Sequence, residues 1–266
     1  MVLLVALLTA DAFSRALADP QRSTLGFSAI SASSRTSCRT SARAASPEEE
    51  MPPVLYCKPS RDGEGVGDCP FTHYARMAME VSNQAYQLKP TPKADKPQWL
   101  LDDHGGSMPC LAPVADGTGA VSESAKIAAV ALPPTPEDEK SMSETSTLFG
   151  SIAKFIKNTD PSADEELAQG VYAALEKVES RLEVLGTPYL SGKEDPGLSD
   201  CSIATKLYVL TVAAPHFKDS FEIPIAKFPR LDEYAKRVFA CDAFLKTKYP
   251  EDEMIFGWSQ ARSGGH

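Results

Sequence analysis

Apolar positions change their spacing part-way along the chain. In the first part they come as short runs: Val54, Leu55, Tyr56 and Cys57 are continuous, the form of a buried strand, and residues 85–88 read as a second strand. Residues 71–81, between them, suit a helix. Residues 110–114 predict a third strand, turned at Asp116-Gly117 and paired with a fourth, before a helix that starts at Glu123. From residue 146 onward the signal is helical throughout. Leu148, Ile152, Phe155 and Ile156 share one face, and Leu167, Val171, Leu175, Val178, Leu182 and Leu185 line a long helix that Gly186 and Pro188 terminate. Ile203, Leu207 and Leu210 make a third stripe, and Leu231, Tyr234, Val238 and Phe239 a fourth. Between the two parts lies "LPPTPEDEKSMSE", whose Pro133, Pro134 and Pro136 interrupt a helix and whose charges are unsuited to a core. Residues 135–145 therefore read as a linker between an α/β domain over 52–134 and an all-helical domain over 146–258.

Composition separates the first 46 residues from the rest. Residues 2–8 are an apolar run of signal-peptide length, too short to span a bilayer, and Ala10-Asp11-Ala12 offers small residues for cleavage. From Phe13 to Ser46 the chain is rich in serine and carries Arg15, Arg22, Arg35, Arg39 and Arg43 against the single acid Asp19. That is the composition of a transit peptide. A signal segment followed by a transit segment that begins with phenylalanine resembles the bipartite presequences of complex plastids, so the expected destination is a plastid stroma, with secretion as the alternative. Cleavage near Ser46 removes Cys38 and leaves Cys57, Cys69, Cys110, Cys201 and Cys241, a scattered and odd set that fits a reducing compartment better than a disulfide framework.

The net charge of -9 supplies no positive field for nucleic acid or an anionic membrane surface. Chemistry concentrates instead in "VGDCPFTHYARM". A cysteine at the first turn of a helix sits near unpaired N–H groups and the positive end of the helix dipole, which favour the reactive thiolate. Asp68 before Cys69 and Pro70 after it, in the preferred first helical position, place the sulfur there. The other reading is a buried cysteine acting as a small hydrophobe, which the polar, glycine-rich loop before Cys69 disfavours. Position 72 is a threonine, so no C-x-x-C dithiol exists, and an oxidised Cys69 needs an external thiol such as glutathione. His73 lies four residues on, but no second pair at ligand spacing supports a metal site, and His73 is read as facing solvent. Cys57, Cys110 and Cys201 read as core residues, and Cys241, opening a short helix, as a weaker candidate thiol.

The combination of "VLYCK", "GDCPF", "KPQWLL", Met108-Pro109 before a strand, "SES" at a helix start, "LSDCSIATKLYVL", "HFK" and "FGW" resembles plant-type dehydroascorbate reductases of the glutathione transferase superfamily, relatives of the chloride intracellular channel proteins. The resemblance implies a thioredoxin-like N-terminal domain and an all-α C-terminal domain, with glutathione and dehydroascorbate as partners and no metal. It implies that Cys69 is the catalytic thiolate, that Lys58 and Asp68 lie beside it, and that Lys96 contacts polar ends of the substrates. Met108, before a cis Pro109, is implied to pair with the cysteinyl part of glutathione, and Glu123 and Ser124 to hold its γ-glutamyl group. Three departures stand out: "THYARM" after the CPF motif displaces an arginine to Arg76, "DHGGSM" lacks a lysine before Pro109, and Gly197 stands where the family's helix cap carries Ser or Thr. An omega- or lambda-like thiol transferase is the alternative enzyme; a membrane-inserting, channel-type relative would need a longer apolar helix near the cysteine, so no stable insertion is expected. The acidic surface is compatible with a monomer.

Overall fold

Strand β1 (Val54–Cys57) anchors the first half of the molecule because its side chains alternate between two covered faces. The computed structural model describes residues 51–219 and 221–264, so the targeting segment read from residues 1–46 lies outside the described residues. β1 pairs in parallel with β2 (Gln87–Pro90) and antiparallel with β3 (Cys110–Ala112). β3 in turn pairs antiparallel with β4 (Val121–Ser122), giving the sheet order β2-β1-β3-β4. Leu55 points to one face, where it packs with Ala75 and Met79 of α1 (Pro70–Val81) and Ile127 of α3 (Ser124–Ala131). Tyr56 points to the other, where it meets Leu100 and Trp99 of α2 (Gln98–His104), its ring 5.3 Å edge-on from the Trp99 ring.

Two strand boundaries and one helix differ from expectation. β2 begins two residues later than the apolar run suggests, because Tyr86 spends its hydroxyl on Glu80 and the Arg76 side chain while Gln87 donates its N–H to the Pro53 carbonyl. β3 ends at Ala112, where Pro113 removes the next ladder donor. α2 was unanticipated: seven residues are too short to show a stripe.

The second half comprises α4 (Pro136–Glu144), α5 (Leu148–Lys157), α6 (Asp164–Leu185), α7 (Leu198–Phe217), α8 (Pro229–Ala240), α9 (Asp242–Thr247) and α10 (Glu251–Arg262). α7 is buried on nearly every side, with α1, α4, α5, α8 and α10 packed around it and α6 packed in turn against α5 and α8. The stretch read as a charged linker is largely helix α4, and one of its charges is inside. Pro136 takes the first helical position, where it costs no hydrogen bond, and Thr135 and Asp138 cap the start reciprocally.

Asp138 also explains the missing hydroxyl at Gly197. Its Oδ1 accepts from the Ser199 N–H at 2.9 Å and the Ser199 hydroxyl at 2.7 Å, satisfying an orphan donor at the start of α7 that a Ser or Thr cap would take. A Cβ at position 197 would overlap the Ser191 side chain and crowd the Asp138 carboxylate, so the glycine makes room for a cap supplied by another helix. Asp200 holds the remaining half, accepting from the N–H groups of Gly197 at 2.8 Å and Leu190 at 2.8 Å.

Candidate active site

The loop between β1 and α1 folds back on itself before it reaches the cysteine. Gly67 donates its N–H to the Lys58 carbonyl at 2.8 Å, and Pro59 and Val66 form an antiparallel bridge. Asp62 ties the tip by accepting from the Ser60 hydroxyl at 2.5 Å and the Glu64 N–H at 2.9 Å. The closure brings Lys58 beside Asp68, Nζ to Oδ1 2.5 Å, next to Cys69. Arg61 at the tip reaches across to Asp252 and Glu253 of α10 and lies over the Phe256 ring. On the same helix, a Cβ at Gly257 would overlap the Asp68 carboxylate; the glycine of "FGW" leaves the space that Asp68 fills.

Cys69 is the N-cap of α1, in extended backbone, with Pro70 at N1 and no acidic residue in the first turn. Its carbonyl accepts the His73 N–H at 3.0 Å, and its thiol is half-buried and free. Behind it the expectation for His73 fails: the side chain is only 1% exposed, enclosed by the rings of Phe244, Tyr249 and Tyr208 at 5.2, 5.5 and 6.0 Å. Neither ring nitrogen has a hydrogen-bond partner among the described residues. Burial, reinforced by the charge of Arg76, pushes the imidazole down to about 3, so it stays neutral. Arg76 is buried too, where its guanidinium donates to the Thr247 and Lys246 carbonyls at 2.9 and 3.1 Å. The displaced arginine of "THYARM" thus ties α1 to the C-terminal end of α9.

Cys57 and Cys110 are buried, and burial pushes each thiol up to about 11; Cys201, fully enclosed, is pushed well above its ordinary value. Cys241 is half-buried, its thiol raised first by burial and then by Asp200 and Asp242.

The remaining predicted residues sit in different settings. The Met108-Pro109 peptide is cis, at the entry to β3. Lys96 donates through Nζ to the Gly106 carbonyl at 2.6 Å, which holds it against the turn leading to Met108 rather than aiming it at the sulfur. Glu123 caps α3 at φ 73°, a conformation that costs a residue other than glycine about 1–3 kcal/mol, and its carboxylate turns to Lys126 at 2.8 Å. Ser124, at the first position of α3, shares a cleft of about 200 Å³ with Pro70 and Phe71 of α1, Phe149 of α5 and Lys206 of α7. Lys206 and Gly257 were not singled out by sequence reasoning. The signal for Lys206 was present: it is a lone charge among Ile203, Leu207 and Leu210.

Among the described residues no helix is long and apolar enough to cross a membrane. Residues 65–132 match the family described as "Glutathione S-transferase, N-terminal domain". The chain is 30% identical over 236 residues to the probable glutathione S-transferase DHAR2, chloroplastic, of Oryza sativa subsp. japonica, covering 86% of this chain and 81% of the relative. It is 29% identical to the Arabidopsis thaliana glutathione S-transferase DHAR2 over 73% of this chain and 90% of that one. The crystal structure of Chlamydomonas reinhardtii dehydroascorbate reductase superposes with a TM-score of 0.67 at 24% identity, covering 80% of this chain and 99% of that one. That of glutathione transferase Omega 1C from Trametes versicolor gives 0.62 at 20%, over 80% and 97%. Both solved structures carry the same fold: a thioredoxin-like half followed by a helical half.

Proposed function

The chain belongs to the plant-type dehydroascorbate reductases of the glutathione transferase superfamily, and from that premise we propose that it reduces dehydroascorbate to ascorbate with glutathione, through Cys69 alone. The observation that carries the reading is the position of Cys69: a free thiol on the N-cap of α1, flanked by the Lys58–Asp68 ion pair, with no cysteine three residues on.

In the proposed cycle the Cys69 thiolate adds to a carbonyl carbon of dehydroascorbate. Water then attacks the sulfur, the C–S bond breaks with its electron pair on the enediolate, and ascorbate leaves as Cys69 becomes a sulfenic acid. One glutathione displaces water from the sulfenic acid to form a mixed disulfide. A second attacks the glutathione sulfur, releasing glutathione disulfide and the thiolate. Lys58 offers a cation to the oxyanion formed on the first addition. Met108, Pro109, Glu123 and Ser124 fit the glutathione side of the site, and Lys96 its outer edge.

The domain boundaries at 52–134 and 146–258 go with this reading, with residues 135–145 a capped helix rather than bare tether. Relatives named chloroplastic support a plastid location. A glutathione-coupled assay comparing dehydroascorbate with a glutathionylated peptide tests the assignment. Preferential turnover of dehydroascorbate with ping-pong kinetics is expected; preference for the peptide would reassign the chain as a thiol transferase.

A further inference from the structure

Lys206 sits in the wrong place for an ordinary lysine. From Leu198 to Leu210 every residue of α7 except Lys206 is buried, and Lys206 lies at a cleft that Ser202 and Thr205 also line. Its Nζ donates to the Ser202 hydroxyl one turn earlier, at 2.9 Å, and among the described residues it has no carboxylate partner. A half-buried ammonium with one neutral acceptor has lost much of its hydration without gaining a counter-charge.

The cleft is shared with the start of α3. Ser124 there is the first residue of an eight-residue helix in which the Ser124 and Ala125 N–H groups have no partner among the described residues. Phe71 and Phe149, rings 5.4 Å apart edge to face, supply an apolar wall. A ligand part that suits this cleft carries a carboxylate at the tip of a short aliphatic stem. Glutathione has one carboxylate at each end, and Lys96, held at the turn before Met108, does not line the cleft that Ser124 and Lys206 share.

We propose that Lys206 binds the α-carboxylate of the γ-glutamyl group of glutathione, completing from the helical half the anion site that the start of α3 begins. The inference rests on the glutathione-binding reading above. Burial alone holds the Lys206 ammonium down to about 8, so a carboxylate at its side restores the charged form and gains from the dry setting. Since Ser124 and Lys206 come from opposite halves of the molecule, recognition of one ligand end spans the contact between them.

The test uses calorimetry with two probes that cannot react: S-methylglutathione, and its analogue in which a 4-aminobutanoyl group replaces γ-glutamyl, removing only the α-carboxylate. Wild type is expected to prefer S-methylglutathione. Lys206→Met is expected to lower that preference about tenfold by weakening S-methylglutathione alone, as loss of one charged hydrogen bond implies. Lys206→Arg should retain the preference, and Lys206→Gln replaces the Met variant should the latter melt early. An unchanged preference in the neutral variants, or equal weakening of both probes, overturns the inference and leaves the glutathione reading standing. Wild type that binds neither probe overturns both.

Discussion

Cys69 and Cys241 both cap a helix start in extended backbone, at φ -77° and ψ 109° for the first and φ -71° and ψ 147° for the second. Their local geometry is nearly the same, and what surrounds it is not. α1 runs for 12 residues, opens with Pro70 and has no acid in its first turn; α9 has six and opens with Asp242. Cys69 follows a loop that brings Lys58 to its neighbour Asp68, while Cys241 looks toward Asp200 and Asp242, which add to burial in raising its thiol. A helix start is therefore common to both thiols, and it is the charges placed beside it that set them apart.

The largest expected effect breaks the comparison outright. Cys69→Ser should reduce dehydroascorbate turnover by at least about a thousandfold, and Cys241→Ser by less than about threefold. Alkylation at pH 7 followed by peptide mapping should find Cys69 modified first and Cys241 more slowly, with Cys57, Cys110 and Cys201 modified only on unfolding. Comparable turnover by the two serine variants would remove Cys69 from the mechanism.

Much of this contrast was legible in the residues. Gly67, Asp68, Cys69 and Pro70 are local, and a capping pattern reads from four consecutive positions. The stripes of α5, α6 and α8 were legible for the same reason, since an amphipathic helix repeats its signal over several turns. What stayed hidden depends on partners far along the chain. Asp138 looked like one more charge in a polar stretch because its partner, Ser199, lies 61 residues away. His73 looked solvent-exposed because the rings that enclose it come from α7, α9 and the turn after α9.

His73 sharpens the comparison from beneath. It lies one turn after Cys69 and is buried, whereas the equivalent residue after Cys241 is the exposed Leu245. An unfolded histidine titrates near 6.5, while the folded imidazole is held down to about 3. Between those values the unfolded chain binds a proton that the native chain refuses, so stability is fully present above about pH 6.5 and is lost as pH falls toward 3. Denaturant unfolding should show a loss on the order of 2 kcal/mol between pH 7 and pH 5. His73→Phe should abolish that slope without cost at pH 7, because it also removes two unpaired ring nitrogens from the interior. An unchanged slope in the variant would place the titrating group elsewhere.

Gly257→Ala tests whether α10 shapes the Cys69 side. In an exposed helix interior this change stabilises by roughly 0.5–1 kcal/mol. Here the new methyl group meets the Asp68 carboxylate, so the sign should reverse, the Lys58–Asp68 pair should open, and kcat/KM should fall about tenfold. Stabilisation with full activity would mean that Asp68 moves freely and does not position the site.

The smallest effect tries to make Cys241 resemble Cys69. Asp242→Asn removes the acid at the start of α9, one of the charges that oppose the Cys241 thiolate, while Asp200 stays because it holds the start of α7. Alkylation of Cys241 at pH 8 should rise about twofold, the size expected from one partly screened charge at a helix end. The Cys69 rate should not change, since Asp242 opens a different helix, α9. A large rise at Cys241 would show that a single acid silences that thiol; no rise would remove Asp242 from the contrast and leave burial together with Asp200 to separate the two cysteines.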